Sequence, residues 1–340
     1  MKIAILDDYQ DVARHLDCFK LLSGHTVKVF NHAARGTGQQ AARLTDFDAL
    51  VLIRERSRIG EDLLSRLPKL RLISQTGKIG PHVDLAACTK HGIVVTESAG
   101  YAQATAELTW LLLLAALRRL PAYMANLYAG HWQRSVPASK DWPLAGFGEA
   151  AAGKTLGVWG FGRIGQLVAG YGRSFGMQVL VHGRSESLTA ASAARYELVT
   201  DRTDFFRRSD VLTLHLRLVD ATRGIVGRSQ LSAMKPTALL INTSRAELIA
   251  PGALVAALKE GRPGLAAVDV FEKEPADSSE PLLTLANAIC TPHLGFTERS
   301  SYERLLGSAF ENLVAYASGS PTNVANPESL AGSGSARPAA

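Results

Sequence analysis

Residues 156–165 read LGVWGFGRIG, and this stretch decides the fold of the 340-residue chain. A short apolar run, Thr155–Trp159, enters a turn with glycines at positions 160, 162 and 165. At this spacing, Gly160 permits the tight bend, Gly162 lets the backbone approach a pyrophosphate, and Gly165 lets a strand and a helix pack closely. The turn is therefore a candidate dinucleotide-binding site.

The residues after the turn support this interpretation. The sequence predicts a helix over Arg163–Phe175, and the backbone N–H groups at its start, those of Arg163 and Ile164, have no partner within the helix. Such groups face an anion bound at the turn. A second apolar run, Met177–Val181, follows the helix. The glycine spacing alone is weak evidence for a dinucleotide site. Its position between a predicted strand and a predicted helix favours dinucleotide binding over a plain structural turn.

The composition is that of an ordinary globular protein. Apolar residues make up 46% of the chain and charged residues 20%. The length suffices for two cores, because single cores seldom grow beyond about 250–300 residues. The net charge is +6, but the basic residues are scattered among acidic ones and form no arm typical of nucleic-acid binding. We expect a solvated basic surface, part of which attracts an anionic cofactor and substrate, and no nucleic-acid partner.

The cysteines and the apolar runs exclude several other classes. Cys18, Cys88 and Cys290 are isolated, which argues against a disulfide framework and a zinc site, and no metal is expected. The N-terminus, MKIAILDDYQ, turns acidic after six residues, unlike a signal peptide. The longest apolar run, Leu108–Leu117, is too short to span a bilayer. We expect a cytoplasmic protein with no membrane partner.

Apolar runs alternate with helical stretches, which predicts the α/β class with parallel sheets flanked by helices. The strands predicted before residue 100 are Lys2–Leu6, His25–Phe30, Ala49–Ile53, Leu70–Ser74 and Ile93–Thr96. Those predicted from the glycine motif onward are Thr155–Trp159, Met177–Val181, Val211–Leu214, Ala238–Asn242, Ala266–Asp269 and Ala288–Cys290. Between the two series lie a helix over Ala104–Leu120 that Pro121 stops, a stretch Tyr123–Trp132, and a loop rich in proline and glycine at 136–148. We predict two doubly wound, Rossmann-like parallel-sheet domains with an interdomain cleft.

The last helix sets the predicted domain boundaries. It is predicted over Glu298–Ser318 and has no partner left in a finished second sheet, so we expect it to pack on the first domain. Residues 1–100 plus 298–326 then form a discontinuous, flavodoxin-like substrate domain, and residues 101–297 form the dinucleotide-binding domain. Residues 327–340 are rich in Ser, Gly, Pro and Ala and are predicted to be disordered.

Three polar residues follow strands of the second series. Arg245 comes after LLINT, Glu274 lies in AAVDVFEKEP, and His293 lies in TPHLG after the strand AIC. Ligands of open α/β sheets bind outside the carboxyl ends of strands, so these loops should meet beside the cofactor. Each residue alone has an ordinary explanation as a surface arginine, a loop carboxylate or a capped histidine. Together with the glycine motif, they favour a catalytic site.

These segments resemble the D-isomer-specific 2-hydroxyacid dehydrogenase family. The resemblance covers roughly residues 45–315, and the order and spacing of the motifs match as well. It implies that Arg245 orients the substrate, His293 exchanges the proton, Glu274 holds the imidazole, and the protein is a homodimer built around the cofactor domains. The matching segments are GKTLGVWGFGRIGQLVAGYGRSFGM (153–177), MKPTALLINTSRAELI (234–249), AAVDVFEKEP (266–275) and TPHLG (291–295).

Elementary chemistry supports these roles. A 2-keto acid offers a carboxylate and a carbonyl in one plane, which a guanidinium can bind as a fork. Hydride addition builds negative charge on the carbonyl oxygen, which needs a proton donor, and histidine titrates near neutral pH. A carboxylate beside the ring favours the imidazolium and fixes which nitrogen faces the substrate.

The resemblance also implies substrate contacts from the first domain. It places the loop 76–80 over the substrate carboxylate, mainly through backbone N–H groups, with Lys78, Ile79 and Gly80 as candidates. Lys78 departs from the small residue often found there, and either adds a positive charge for an acidic substrate or points to water. Arg54, after the strand ALVLI, is a further candidate, with a solvated charge cluster as the alternative.

The residues at the end of the strand after the glycine turn indicate the choice between NAD and NADP. An NAD-selective site has Asp or Glu there to accept from the ribose 2′-OH, but this chain has Gly183 followed by Arg184 and Ser185. An arginine can pair with a 2′-phosphate, so we favour NADP slightly over NAD. The alternative is that Arg184 stacks on adenine and the enzyme uses NAD. Further candidates for cofactor contact are Thr105, at a helix start that by resemblance abuts the nicotinamide, Thr243 and Asp269.

The sequence thus predicts an NAD(P)-dependent D-2-hydroxyacid dehydrogenase or 2-keto acid reductase, whose partner is a small 2-keto or 2-hydroxy acid. Glyoxylate or hydroxypyruvate reduction and 3-phosphoglycerate oxidation without a regulatory domain both stay open. Formate oxidation is disfavoured, because relatives that perform it do not keep the Glu beside the His. A dinucleotide-sensing binding protein is the alternative from another class.

Overall fold

The computed structural model describes residues 1–133 and 146–331, so the predicted loop at 136–148 lies mostly outside the described residues. Apart from the two-residue β8, each strand within these ranges lies within two residues of a predicted one. The strands are β1 Lys2–Leu6, β2 Thr26–Val29, β3 Ala49–Leu52, β4 Leu72–Gln75, β5 Val94–Thr96, β6 Thr155–Trp159, β7 Gln178–His182, β8 Glu197–Leu198, β9 Val211–Leu214, β10 Leu239–Asn242, β11 Leu265–Val268 and β12 Ala288–Cys290.

Helices fill the connections between the strands. They are α1 Thr37–Leu44, α2 Glu61–Leu64, α3 Leu85–Lys90, α4 Ala102–Leu117, α5 Leu120–Tyr128, α6 Arg163–Ser174, α7 Ser185–Ala193, α8 Arg202–Arg208, α9 Arg228–Ala233, α10 Ala253–Lys259, α11 Arg299–Ala317 and α12 Glu328–Ala331.

The prediction that Pro121 stops the helix after Ala104 is wrong. The helix α4 ends at Leu117, and Arg119 adopts a left-handed conformation with φ +52° at the start of α5. Pro121 then lies in the first turn of α5, where its missing N–H is not needed. No single helix in the described ranges is long and apolar enough to cross a membrane, although α4 and α5, bent by 64°, reach that length and composition together.

The first sheet has five parallel strands in the order β2-β1-β3-β4-β5. Ile3 of β1 lies opposite Val27 on one side and Ala49 on the other. The strands β3 and β4 are buried along their whole length, as expected for a parallel sheet covered by helices on both faces. This order is that of a flavodoxin-like doubly wound sheet.

The second sheet has seven parallel strands in the order β12-β11-β10-β9-β6-β7-β8. The chain leaves β6 toward β7 on one side and returns to β9 on the other, so Trp159 lies between His182 and Leu214. Strand order therefore reverses at β6. The carboxyl ends of β6 and β9 form the switch point where open α/β sheets bind ligands. The α/β class with two parallel sheets is confirmed.

The chain divides into two compact units, one of Met1–Tyr101 with the C-terminal segment from Glu298, and one of Ala102–Thr297. The helix α11 belongs to the first unit. The buried Ser74 hydroxyl of β4 donates a 2.7 Å hydrogen bond to the Ala309 carbonyl of α11, and Phe310 packs edge-on against Phe19. The unit is thus discontinuous in sequence.

The prediction of disorder from residue 327 onward is wrong for 328–331, which form α12; residues 332–340 lie outside the described ranges. The reason is Asn326, which is 1% exposed. Its side chain accepts from the backbone N–H of Val95 at 2.8 Å and donates to the Ile93 carbonyl at 2.9 Å. Because it completes the buried edge at β5, this residue fixes the chain just before α12.

Replacing Asn326 with alanine leaves the Val95 N–H and the Ile93 carbonyl buried without these partners. We expect Asn326→Ala to lower the free energy of unfolding by roughly 2–4 kcal/mol, since each unsatisfied buried group costs about 1–3 kcal/mol. Urea denaturation followed by circular dichroism measures the effect. The exposed neighbour Glu328→Ala is the control and should change stability by less than about 0.5 kcal/mol. Equal stability of the two variants would contradict the assigned role.

Candidate active site

The glycine turn has the shape that a pyrophosphate needs. Gly160 has φ +97°, and a Cβ there would collide with the carbonyl oxygen of His215. A Cβ on Gly165 would collide with the carbonyl of Gly160, so only glycine lets α6 pack this close to the turn. Gly162 caps the twelve-residue helix α6, and a Cβ built on it meets nothing within 4 Å.

This open space lies where the N–H groups of Arg163 and Ile164 begin the helix α6. The first N–H groups of a helix have no intrahelical acceptor and carry the positive end of the helix dipole. The residues present therefore fit a dinucleotide, whose pyrophosphate these donors would hold.

The loop after β7 contains the residues that are predicted to lie near the ribose of the cofactor. Gly183 follows β7, and a Cβ built on it would lie 2.9 Å from the Cβ of Ser187 and 3.9 Å from the Cα of Gly160. A side chain at position 183 would therefore crowd Ser187 in the first turn of α7. Arg184 is the N-cap of the nine-residue helix α7, which begins at Ser185, and both residues are exposed.

His293 and Glu274 lie in contact. The His293 Nδ1 and the Glu274 Oε2 are 2.6 Å apart, and the two side chains are 24% and 35% exposed. The second oxygen of Glu274 accepts from the backbone N–H of Phe271 at 3.0 Å. Since both carboxylate oxygens are engaged, the orientation of the imidazole is fixed, and Nε2 is the nitrogen left to exchange a proton with a ligand.

The environment keeps Glu274 ionised. Burial raises the pKa of this carboxyl, but the hydrogen bond and charge of His293, the Phe271 N–H and the charge of Arg245 together outweigh it and hold the pKa below its usual value. The charge of Arg245 acts on Glu274 within the second unit, so Arg245 lies near the His293–Glu274 pair.

Asp269 fixes the loop that carries His293. It is fully buried and accepts three hydrogen bonds, from the Thr291 hydroxyl at 2.6 Å, the Leu294 N–H at 2.7 Å and the Gly295 N–H at 2.8 Å. Burial raises the pKa of Asp269, and these donors oppose the rise. Within this loop His293 has φ +53°, a left-handed conformation that is rare for a non-glycine residue. The bonds on either side of His293 hold it there.

Thr105 and Thr243 also have structural partners. The Thr105 hydroxyl donates to the Gly295 carbonyl at 2.8 Å, so α4 contacts the His293 loop as well. The Thr243 hydroxyl lies 2.7 Å from that of Thr109. The sequence did not single out Thr109, whose small hydroxyl on an apolar helix gives no local signal.

Arg245 is set by the end of β10. The Asn242 amide donates to the Arg245 carbonyl at 2.8 Å and its oxygen accepts from the Ser244 N–H at 3.0 Å. The half-buried guanidinium donates through Nη1 to the Ser244 carbonyl at 2.6 Å. These local bonds place the guanidinium beside the sheet's carboxyl edge.

The remaining candidates belong to the first unit. The Arg54 guanidinium packs against Gly77, which has φ +93° and no room for a Cβ. The exposed Lys78 forms an ion pair with Glu97, and the Ile79 N–H donates to the same carboxylate at 3.1 Å. Sequence reasoning missed Glu97, which follows β5 as a single acidic residue without a motif.

The chain is similar in sequence to known proteins over most of its length. The family model of the D-isomer specific 2-hydroxyacid dehydrogenase, NAD binding domain, matches residues 110–295. The chain is 41% identical over 276 residues to the glyoxylate reductase of Aeropyrum pernix, covering 80% of this chain and 81% of that protein.

Two solved structures are similar over almost the whole chain. An oxidoreductase from Ralstonia solanacearum has a TM-score of 0.94 and 53% identity, covering 97% of this chain and 98% of that one. The phosphoglycerate oxidoreductase of Vibrio cholerae O395 has a TM-score of 0.89 and 49% identity, covering 94% and 99%. The chain therefore belongs to the D-isomer-specific 2-hydroxyacid dehydrogenase family, NAD-dependent oxidoreductases that act on the CH–OH group of 2-hydroxy acids.

Proposed function

We propose that the protein is a cytoplasmic reductase of small 2-keto acids, and oxidises the matching D-2-hydroxy acids in reverse, with His293 as acid/base catalyst. The observation that carries this proposal is the 2.6 Å contact of His293 with Glu274. The His293–Glu274 pair belongs to the same unit as the glycine turn, which fits a dinucleotide. The nicotinamide, when bound, supplies the hydride for reduction and accepts it in oxidation.

The chain's own residues account for the rest of the reaction. Arg245 binds the carboxylate and carbonyl of the keto acid as a planar fork and fixes which face is presented. As negative charge develops on the carbonyl oxygen, His293 Nε2 gives up a proton to it, and takes that proton back from the hydroxyl in oxidation. Glu274 stabilises the protonated ring and holds its orientation through Nδ1.

Asp269 and Thr105 are assigned supporting roles in the same site. Both hold the segment 291–295, one through three hydrogen bonds and one through the Gly295 carbonyl. A base that is misplaced by about 1 Å loses much of its catalytic effect, which explains why so many bonds converge on five residues. Contacts of Asp269, Thr105 and Thr243 with the cofactor remain part of the proposal.

The first unit is proposed to bind the substrate's carboxylate through the loop 76–80, with Arg54 beside it. Glyoxylate or hydroxypyruvate is the favoured substrate, and the likeness to a glyoxylate reductase supports it. Oxidation of 3-phosphoglycerate is the second candidate, supported by the likeness to a phosphoglycerate oxidoreductase. Steady-state loss of NAD(P)H absorbance with glyoxylate, hydroxypyruvate, pyruvate, phenylpyruvate and 3-phosphohydroxypyruvate separates them, and no turnover of any acid favours a dinucleotide-sensing protein.

A homodimer is also proposed. The helix α5 has no buried residue, and it exposes Leu120, Met124, Leu127 and Tyr128. Burial of this apolar surface against a second copy would stabilise the pair at about 25 cal/mol per Å² of apolar area.

Removal of the imidazole tests the acid/base role. We expect His293→Ala to lower kcat for keto-acid reduction by roughly 10²–10⁴-fold, because the carbonyl oxygen loses its proton donor. The binding of NADPH, followed by its fluorescence, should persist. The exposed His15→Ala on the first unit is the control. A His293 variant within about tenfold of the parent enzyme would exclude this role.

The role of Glu274 predicts a change in pH dependence. Its depressed pKa keeps the carboxylate charged as the pH falls, so it favours the protonated imidazole over the whole working range. Glu274→Gln keeps an acceptor for the Phe271 N–H but loses the charge. Reduction needs the protonated ring, which the lost charge no longer stabilises, so the alkaline limb of the kcat profile should move to lower pH. An unmoved limb, with kcat lowered equally at every pH, would show a purely structural role.

Arg184 makes the cofactor preference testable. We expect NADPH to bind more tightly than NADH at one fixed salt concentration, because a 2′-phosphate can pair with the exposed guanidinium and the helix α7 begins beside it. Arg184→Gln should weaken NADPH binding by about tenfold and leave NADH binding within about twofold. Arg207→Gln, at an exposed arginine of α8, controls for net charge. Tighter binding of NADH by the parent protein would reverse the preference.

A further inference from the structure

Glu97 holds the candidate carboxylate-binding loop from the end of β5. Its Oε2 accepts from the backbone N–H of Ile79 at 3.1 Å, and its Oε1 pairs with the ammonium of Lys78. The adjacent Ser98 adds two bonds to the same loop, since its hydroxyl accepts from the Gly77 N–H at 2.7 Å and its own N–H donates to the Gly77 carbonyl at 2.9 Å. The loop is therefore tied to this strand end at three successive residues.

The backbone of Glu97 is itself anchored. Its N–H donates to the Asn323 carbonyl at 3.0 Å, and its carbonyl accepts from the Asn312 amide at 3.2 Å. The Glu97 side chain is 23% exposed and that of Lys78 is 65% exposed. The carboxylate is thus the more buried and better anchored partner of the pair, and the lysine is the exposed one.

A negative charge at this position changes what the loop can bind. The Ile79 N–H, a donor of the kind that a substrate carboxylate uses, is already taken by Glu97. Within the described part of the chain, the N–H groups of Lys78 and Gly80 have no acceptor and are left for a ligand. These two N–H groups can bind one carboxylate of a ligand.

The charge balance around the loop points the same way. Arg54 packs against Gly77, and Lys78 is part of the loop, which makes two positive charges. Glu97 accepts from the loop, and the Glu55 Oε1 lies 3.9 Å from a Cβ built on Gly80, which makes two negative charges. The charges of these four described residues cancel, so a second anionic group on a ligand would meet a carboxylate and a lysine that is already paired.

We propose that Glu97 is a specificity-determining residue which keeps Lys78 paired, and that it makes the protein select 2-keto acids with one negative charge over those with a second, phosphate or carboxylate, group. The proposal rests on the keto-acid reduction proposed above. Lys78 alone would favour acidic substrates, and Glu97 cancels that preference.

A matched pair of acids tests this. Hydroxypyruvate and 3-phosphohydroxypyruvate differ only in the phosphate, so the ratio of their kcat/KM values reports the cost of the second charge. We expect the parent enzyme to prefer hydroxypyruvate. Glu97→Gln keeps an acceptor for Ile79 but frees Lys78, and should raise the ratio of kcat/KM for the phosphorylated acid to kcat/KM for hydroxypyruvate about five- to tenfold, through a lower KM for the phosphorylated acid.

Two further variants separate the charge effect from damage to the loop. Adding Lys78→Met to Glu97→Gln should abolish the gain, because the freed ammonium is its source. Glu61→Gln is the control, since Glu61 pairs with Lys90 at 2.9 Å on the same unit, and it should leave the ratio unchanged. A parent enzyme that prefers the phosphorylated acid, or a Glu97→Gln variant that changes both acids equally, would overturn the proposal.

The outcome stays distinct from that of the proposed function. If the parent protein reduces neither acid, the proposed function fails for these substrates. The inference is then decided by calorimetric binding of the same two acids to the cofactor-loaded protein. Under that readout, Glu97→Gln must tighten the binding of the phosphorylated acid alone, and an unchanged ratio of dissociation constants refutes it.

Discussion

The buried carboxylate of Asp269 is the constraint on which the candidate site depends. It is fully buried at the end of β11 and accepts from a hydroxyl and two backbone N–H groups of the segment 291–295. A buried carboxylate without such partners would be strongly disfavoured, so this segment and Asp269 require each other. His293 lies between two of the bonded positions in a left-handed conformation, which costs about 1–3 kcal/mol and persists because these bonds impose it.

The topology explains why the three candidate catalytic residues lie at one edge of the sheet. Glu274 follows β11, His293 follows β12, and Arg245 follows β10, and these are three consecutive strands of one parallel sheet. Their carboxyl ends therefore share an edge, although the residues lie far apart in sequence. The glycine turn after β6 and the loop after β7 lie along the same edge past the reversal of strand order. A single sheet edge thus carries both the candidate cofactor cradle and the candidate acid/base pair.

Much of this could be predicted from the sequence, because the signals are local. Buried parallel strands are continuous apolar runs, so the sequence predicts Thr155–Trp159 and Val211–Leu214 with their observed bounds. What was missed depends on contacts between distant residues. Asn326 orders the segment that a Ser/Gly/Pro composition marks as disordered, and it does so through bonds to Ile93 and Val95. Pro121 has the same identity whether it ends a helix or begins one, and the left-handed Arg119 decides which.

The contrast between local sequence signals and contacts of distant residues also applies to two carboxylates, Asp269 and Glu97. Asp269 ends a predicted strand and is a predicted cofactor contact, and its hydrogen bonds in the described chain go to the His293 loop. Glu97 stands in no motif and escaped notice, although its carboxylate binds the loop 76–80 through both oxygens. The position of a residue along a strand predicts where its polar side chain lies. The tertiary fold determines which group that side chain binds.

Asp269 and Glu97 differ in burial, and this difference suits them to different roles. Asp269 is shielded from solvent, so its bonds to the His293 loop are insensitive to salt and a substitution there would leave buried donors without an acceptor. The Lys78–Glu97 pair is partly exposed, so it contributes little to stability and can be altered without damage to a core. A geometry that catalysis needs is best fixed by the first kind of interaction. A preference among substrates, which differs between related enzymes, is best set by the second, because its charge can change while the fold stays intact.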